Sequence, residues 1–170
     1  LLDIGGFDFQ QNQRDGIIAE LQKLQLADGG FALTGAVSDV DVTCMALQAL
    51  HPYYQYSDVK KVVDQALSLL SERQTADGDF KSYGTLNCES TAQVIMTLSC
   101  YRIAIGDSRF VKNGNSALDG LLRYRLAAGD FSHFRGGVKN ASATSQALAA
   151  LISVNLPRGY YRLSDKTPVL

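Results

Sequence analysis

Two kinds of helical pattern alternate along this chain. In the first kind, apolar side chains recur every three or four residues and charged side chains occupy the opposite side, which predicts a helix with one face in water. In the second kind, nearly every position is apolar, which predicts a helix that is buried all round. The predicted amphipathic helices span 14–26, 57–72 and 115–126, and the predicted buried helices span 39–50, 88–103 and 141–154.

The ends of these helices carry start and stop signals. Asp28-Gly29-Gly30 is expected to end the first helix, because Gly29 falls where a left-handed C-cap residue is needed. His51-Pro52 ends the second helix, since proline cannot continue the hydrogen-bond ladder. Ser57 is expected to be the N-cap of the third helix.

Two sequence blocks occur three times in the chain. The first block, Gln25-Leu-Ala-Asp-Gly-Gly-Phe31, returns at 74–80 and 125–131, so its copies are 49 and then 51 residues apart. The second block begins each buried helix, with spacings of 48 and then 53 residues between its threonines, Thr43, Thr91 and Thr144. A period near 50 is typical of repeat architectures, in which one unit cannot bury its apolar face alone.

The alternation and the repeat together predict an all-α fold. Buried helices form an inner ring, amphipathic helices form an outer ring, and each helical hairpin of about 50 residues adds one pair. We expect residues 1–170 to form one domain fragment, with repeats at about 12–52, 57–103 and 110–155 and a tail at 156–170. Six helices make an arc, so further hairpins are expected N-terminal to Leu1 in a longer parent chain.

The repeated Gln-x-x-x-Gly-x-Phe block resembles the Gln/Trp repeat motif of squalene-hopene cyclases, and Phe31, Phe80 and Phe131 stand where those enzymes carry Trp. More broadly, residues 12–155 resemble the terpenoid cyclase and protein prenyltransferase α/α-toroid superfamily. The likeness is strongest to prenyltransferase-like repeat domains of Gram-positive bacterial surface proteins, which are related in fold to the cobalamin carriers transcobalamin and intrinsic factor. The resemblance implies a partial α/α toroid and an extracellular or cell-surface location. The third copy departs from the motif, with Arg125 in place of Gln.

The composition of the chain bears on the size of its core and on the partners it can bind. The chain has 170 residues, of which 46% are hydrophobic, so it is long enough for one core. Sixteen Lys and Arg residues nearly balance 17 Asp and Glu residues, which argues against a nucleic-acid or anionic-membrane partner. No apolar run reaches the roughly 18 residues that a membrane span needs. The three cysteines, an odd number, are predicted to be small buried hydrophobes.

Acidic residues at the start of the second helix form the sharpest candidate for chemistry. In class II terpene cyclases, an Asp-x-Asp-Asp-Thr motif begins an inner helix and its middle acid protonates the polyene. By resemblance, Asp39, Asp41 and Thr43 match three positions of that motif, and Asp41 would be the acid. Val42 replaces the last acid of the motif, although protonating an alkene requires a strong acid that its neighbours hold in place.

Helix capping is the alternative explanation for the same residues. Asp39, Asn87 and Asn140 occupy one register at the helix starts, and all three are preferred N-cap residues. Asp41 and Glu89 follow within the first turn, where the helix dipole favours a carboxylate by roughly 0.3–1 kcal/mol. Capping therefore accounts for every copy, whereas catalysis accounts for one.

The sequence does not predict a metal site or a resident cofactor. The zinc site of protein prenyltransferases needs an Asp-x-Cys pair and a distant histidine, but Asp41 and Cys44 have the wrong spacing and Cys88 follows an asparagine. His133 is expected in a loop without neighbouring ligands. The Cys-Gly-Glu-Gln sequence of the thioester domains that share the toroid is also absent.

The loops before the buried helices are expected to form one rim around the mouth of a central cavity. These loops span 28–38, 77–86 and 128–139. The phenylalanines that recur in them are expected to fill the space between the two rings of helices. Residues that do not recur are better candidates to bind a ligand, and we select Tyr83, Glu89, His133 and Arg135.

Three hypotheses for function follow. The first is a non-catalytic recognition module of a bacterial cell-surface or secreted protein, which binds a small molecule or a protein partner at the rim. Cobalamin is one ligand that the resemblance suggests. The second is an isoprenoid cyclase in which Asp41 is the acid and Asp39 supports it, but the chain has no Trp to stabilise carbocations. The third is a structural spacer.

Overall fold

The computed structural model describes residues 11–155, with side chains from residue 13 onward. Within that range the chain is mostly helical, which confirms the predicted all-α class. The six helices are α1 (Gln11–Lys23), α2 (Val40–Leu50), α3 (Ser57–Arg73), α4 (Cys88–Cys100), α5 (Ala117–Leu122) and α6 (Ala141–Asn155). Two short antiparallel hairpins join them, β1 (Lys81–Ser82) with β2 (Thr85–Leu86) and β3 (Val111–Lys112) with β4 (Asn115–Ser116).

Helix α4 lies at the centre of the packing, between α2 on one side and α6 on the other. Helix α3 packs against α2, and α5 packs against α4. Glutamine side chains link the three central helices, because Gln48 Nε2 donates to Gln93 Oε1 at 3.2 Å and Gln93 Nε2 donates to Gln146 Oε1 at 3.3 Å. The helices predicted to be buried are therefore direct neighbours.

Burial all round is confirmed for α4 but is wrong for its two neighbours. Every apolar residue of α4 from Ala92 to Leu98 is buried, since helices contact it on several sides. In α2 the side chain of Met45 is exposed, and in α6 those of Leu148 and Ile152 are exposed. These residues lie on sides that no described helix covers, because α2 and α6 are the two outer members of the row.

Several predicted boundaries also need correction. Ser57 is the first residue of α3, and its N-cap is Tyr56, whose side chain makes no capping hydrogen bond. Helix α1 ends at Lys23, and Gly29 instead closes the following turn, where its N–H donates to the Leu26 carbonyl. Helix α5 is shorter than predicted at both ends, because the β3–β4 hairpin occupies the start of the predicted range and turns at Arg123 to Arg125 follow the helix. The stop at His51-Pro52 is confirmed, since α2 ends at Leu50 and a short 3-10 turn follows.

The repeated sequence blocks make the same contacts in each copy. The backbone N–H groups of Phe31, Phe80 and Phe131 donate to the hydroxyls of Thr43, Thr91 and Thr144 at 3.0, 3.1 and 3.0 Å. All three phenylalanines are buried. In the preceding turns, Gly29, Gly78 and Gly129 have φ angles of 88°, 90° and 94°, a conformation that side chains disfavour.

The predicted N-caps are confirmed in all three copies. Asp39 Oδ1 accepts the N–H groups of Asp41 and Val42. Asn87 Oδ1 accepts the Ser90 N–H at 2.7 Å, and Asn140 Oδ1 accepts the Ala143 N–H at 2.9 Å. Each bond satisfies a donor that the helix itself leaves free, so these residues fix where α2, α4 and α6 begin.

The cysteines behave as apolar residues. Cys44 and Cys88 are buried, Cys100 is partly buried, and all three are free thiols. Burial raises the pKa of Cys88 to about 12 and that of Cys100 to about 11, so both stay protonated and unreactive at neutral pH. From residue 11 to residue 155, no helix has the length and apolarity to cross a membrane.

Candidate functional site

A groove lies between the segment before α2 and the β1–β2 hairpin. Its volume is about 580 Å³. It is lined by Thr34, Gly35, Ala36, Val37, Ser38, Asp39, Arg73, Lys81, Tyr83 and Gly84. The groove therefore contains one of the predicted ligand residues, Tyr83, together with two basic residues that the sequence did not single out.

Tyr83 is presented to solvent by an unusual backbone. Its side chain is 76% exposed, and its φ angle of 46° is in the left-handed region that a bulky residue rarely adopts. Together with Gly84, at φ 80°, it forms the tip of the β1–β2 hairpin. A two-residue hairpin loop of type I′ has positive φ at both central positions, where asparagine and glycine are the preferred residues, so a tyrosine there is uncommon.

Asp39 supplies the contacts that hold Tyr83. Its second carboxylate oxygen, Oδ2, accepts the Ser82 hydroxyl at 2.7 Å and the Tyr83 N–H at 3.2 Å. Because Oδ1 caps α2, both oxygens of this buried carboxylate are occupied. Asp39 therefore ties the start of α2 to the β1–β2 hairpin, 44 residues further along the chain.

Asp41 is largely buried beside this tie. Burial raises the pKa of its carboxyl group, and the nearby carboxylates of Asp39 and Glu89 raise the pKa further, while the Ser90 and Ser82 hydroxyls act in the opposite direction. Asp41 Oδ1 makes no hydrogen bond of good geometry within the described chain. A raised pKa favours the protonated form of Asp41, which is the form that a general acid must have, so the pKa is no argument against the cyclase hypothesis.

Glu89 and His133 are brought together by the fold. Glu89 Oε2 lies 2.7 Å from His133 Nδ1, and the His133 carbonyl accepts the Cys88 N–H at 3.0 Å. The His133 ring also packs against the ring of Phe134, with centroids 4.1 Å apart. These contacts join the start of α4 to the loop before α6, and the histidine remains partly exposed at the rim.

Arg135, the fourth predicted ligand residue, is engaged by carboxylates of its own chain. Its guanidinium contacts Asp77 at 2.6 Å and the fully buried Asp79 at 2.5 Å, and the Tyr124 hydroxyl donates to Asp79 at 2.7 Å. Burial disfavours the charged guanidinium, but the two carboxylates outweigh burial and raise the Arg135 pKa. Arg135 is therefore a structural clamp between the second and third repeats.

A similar clamp joins the first and second repeats, and the sequence did not reveal either one. Arg73 donates to Asp28 Oδ2 at 3.0 Å and to the Ser38 carbonyl at 2.7 Å. Asp28 and Asp77 occupy the same position of the first repeated block. An aspartate at that position is therefore the feature of the sequence that could have indicated both clamps. The arginines give no such signal, since they come from different parts of their repeats.

The four predicted ligand residues thus lie in three separate places on the described surface. Tyr83 lies on the groove, Glu89 and His133 form a pair, and Arg135 belongs to the inter-repeat clamp. No group of three or more histidine, cysteine, aspartate or glutamate side chains in the described part of the chain could hold a metal ion. The groove at Tyr83 is therefore the best candidate site, because its walls are open and its aromatic side chain is free to contact a ligand.

Comparison with known proteins does not assign the chain to a family. No protein-family model matches the chain, and no curated protein is significantly similar to it. The geometry of the rim is therefore the basis on which a function is inferred.

Proposed function

We propose that this chain is a non-catalytic recognition module that binds a small molecule or a protein partner at its loop rim. The observation that carries the proposal is the groove of about 580 Å³ beside Tyr83. Folding needs a positive φ at this hairpin tip, but it does not need an exposed aromatic ring there, since the β3–β4 hairpin has Asn113 at the matching position with a φ angle of 50°. Contact with a ligand is therefore the better explanation for a tyrosine at this position.

The chemistry of the groove favours a ligand with an extended apolar surface and an anionic group. The Tyr83 ring offers a flat apolar face, and the nearby side chains of Ala36 and Val37 add apolar surface. Lys81 provides positive charge at the same groove, whereas Arg73 is paired with Asp28 and the Asp39 carboxylate is already saturated by four donors. Cobalamin, which carries a flat ring system and a phosphate, is one ligand of this type.

We further propose that the three helical hairpins form an arc of an α/α toroid. The contacts that recur at Thr43, Thr91 and Thr144 support this architecture, as does the row formed by α2, α4 and α6. In such an arc the turns before these helices share one rim, which is where the groove lies. The proposed setting is a bacterial cell-surface or secreted protein.

An isoprenoid cyclase is the less favoured alternative. Asp41 would have to protonate an alkene, yet Val42 replaces the last acid of the cyclase motif and Asp39 is committed to capping and to the β1–β2 hairpin. A structural spacer is the remaining alternative, and it predicts that no ligand stabilises the chain.

Thermal-shift measurements with three ligand classes test the proposal. We expect cyanocobalamin, farnesyl diphosphate or a soluble oligosaccharide to raise the Tm, because a ligand at one hundred times its Kd stabilises the folded state by about 2.7 kcal/mol. Tyr83→Ala should remove the shift, whereas Tyr56→Ala, an exposed tyrosine outside the groove, should retain it. Failure of all three classes to raise the Tm would favour the spacer, and turnover of farnesyl diphosphate that Asp41→Ala abolishes would favour the enzyme.

A further inference from the structure

The tip of the β3–β4 hairpin carries an asparagine followed by a glycine. Asn113-Gly114 is the only Asn-Gly pair in the sequence. Both residues are exposed, and their φ angles of 50° and 80° suit a two-residue hairpin loop in which asparagine and glycine are the preferred pair. The fold therefore presents this dipeptide to water at the end of a loop.

An asparagine followed by glycine can lose its side-chain amide with water as the only other reactant. The backbone nitrogen of the glycine attacks the asparagine Cγ, the new N–Cγ bond closes an imide ring, and the side-chain nitrogen leaves as ammonia. Water then opens the imide at either carbonyl, which yields aspartate or isoaspartate. Glycine favours the attack because it has no side chain to crowd its nitrogen.

The amide group of Asn113 differs from the other asparagine amides in being free. Only the backbone carbonyl of Asn113 accepts a hydrogen bond, from Asn115 Nδ2 at 3.5 Å, and its side chain makes none within the described chain. A methyl group built on Gly114 would meet no atom of the described residues within 4 Å, so the attacking nitrogen is also uncrowded. The other asparagines with described side chains all use them in hydrogen bonds, namely Asn87, Asn115, Asn140 and Asn155.

Pairing of the hairpin opposes ring closure. The imide holds the backbone between Asn113 and Gly114 in a conformation that differs from that of the turn, so the tip must open before the ring can form. Strands β3 and β4 pair through two residue pairs, Val111 with Ser116 and Lys112 with Asn115. Opening so short a ladder breaks far fewer contacts than unfolding the helices does. The reactive conformation is therefore accessible while the rest of the fold stays intact.

We propose that Asn113 is a deamidation site of the folded protein, reached by local opening of the β3–β4 tip. The two products have different consequences for the hairpin. Aspartate fits the loop, since Asp-Gly is also a favoured pair there. Isoaspartate adds a methylene group to the backbone, so β4 loses its register with β3.

The isoaspartate product loosens the junction between the second and third repeats. Strand β4 contacts the turn of the second repeated block, where Asn115 Nδ2 donates to the Ala76 carbonyl at 2.9 Å and a methyl group built on Gly78 would collide with the Ser116 carbonyl. Ser116 is also the N-cap of α5, since its hydroxyl accepts the Asp119 N–H at 3.3 Å. A shift of β4 disturbs all of these contacts, so the modification limits the lifetime of the junction.

Peptide mapping by mass spectrometry tests the site on the whole folded chain, incubated in buffer at mildly alkaline pH. We expect the mass gain of a single deamidation to appear first at Asn113, together with methylation of that peptide by an isoaspartyl methyltransferase. Asn115, which lies in the same peptide, is the internal control and should stay unmodified. Asn113→Ser lacks the side-chain amide and should give no isoaspartate at this position.

A further variant separates local opening from global unfolding. Thr91→Val removes the buried hydrogen bond to the Phe80 N–H and lowers the stability of the whole fold, but it lies outside the hairpin. Its rate of deamidation at Asn113 should equal that of the unmodified chain. A rate about tenfold higher would mean that the reaction requires global unfolding, and it would overturn the proposal.

Two other results would also overturn it. One is an unmodified Asn113 in the folded chain under conditions in which the chain unfolded in urea is deamidated there. The other is earlier deamidation at a different asparagine. Neither result depends on what the groove at Tyr83 binds.

Thermal unfolding tests the consequence for the junction. The fraction that contains isoaspartate, separated by chromatography, should have a lower Tm than the unmodified chain, whereas Asn113→Asp should have the same Tm as the unmodified chain. Equal Tm values for all three would refute the role of β4 in holding the second and third repeats together.

Discussion

Glu89 and His133 are 44 residues apart in the chain, yet Glu89 Oε2 lies 2.7 Å from His133 Nδ1. The contact joins the first turn of α4 to the loop before α6, so it reports directly on how two repeats are arranged. Because it is partly buried, the pair is expected to contribute more than a contact between fully exposed side chains.

A double-mutant cycle measures that contribution. Glu89→Gln and His133→Ala should each lower the free energy of unfolding by about 0.5–1.5 kcal/mol, and the two changes together should cost less than their sum, since they remove the same contact. The exposed pair Glu20 and Lys23 is the control, for which we expect a coupling of about 0.5 kcal/mol or less. Equal coupling in both cycles, measured by urea unfolding, would mean that the Glu89–His133 contact is not formed in solution.

Removing the arginine of the clamp should destabilise the fold strongly. Arg135→Met leaves the fully buried Asp79 carboxylate with the Thr75 and Tyr124 hydroxyls and no positive charge, which should cost about 2–4 kcal/mol. Arg123→Met also removes a cation from Asp77, but both partners are exposed, so its cost should stay below about 1 kcal/mol. If the two variants unfold at the same urea concentration, the clamp is not a stabilising contact.

The threonine that recurs in each repeat should stabilise the fold through the hydrogen bond of its hydroxyl group. Thr91→Val keeps the shape of the side chain but leaves the buried Phe80 N–H without an acceptor, and we expect it to lower the free energy of unfolding by about 1–3 kcal/mol. Thr91→Ser retains the hydroxyl and should lose less. A valine variant as stable as the serine variant would refute the role assigned to this hydrogen bond.

Ionisation of Asp41 should lower the free energy of unfolding as pH rises. Because burial raises the Asp41 pKa in the folded chain, the folded state holds the proton more tightly than the unfolded state, and ionisation of Asp41 weakens folding as pH rises. Asp41→Asn removes this penalty, so its Tm should exceed that of the unmodified chain at neutral pH. The difference should shrink below the ordinary aspartate pKa, where both states are protonated. A difference that does not change with pH would contradict the raised pKa.

Local sequence could predict the parts of the candidate site that depend on neighbouring residues. Tyr83 could be selected because it breaks the repeat, and Asp39 could be predicted as a cap because N-cap geometry is set within four residues. The same reasoning could not assign Asp39 Oδ2, whose donors Ser82 and Tyr83 come from another repeat. It also placed Arg135 among the ligand residues. Local sequence could not reveal the carboxylate partners of Arg135, because they are 56 and 58 residues away.

The sequence by itself determined the presence of six helices, the three N-caps that recur and the recurrence of about 50 residues, since periodicity and capping are local properties of the chain. Tertiary structure alone decided which sides of those helices are covered. Leu47, Ile95 and Leu148 are equivalent in sequence, and only packing distinguishes the two buried side chains from the exposed one. The physical reason is that burial belongs to the contact between elements, so identical patterns acquire different surroundings at the middle and at the ends of a row.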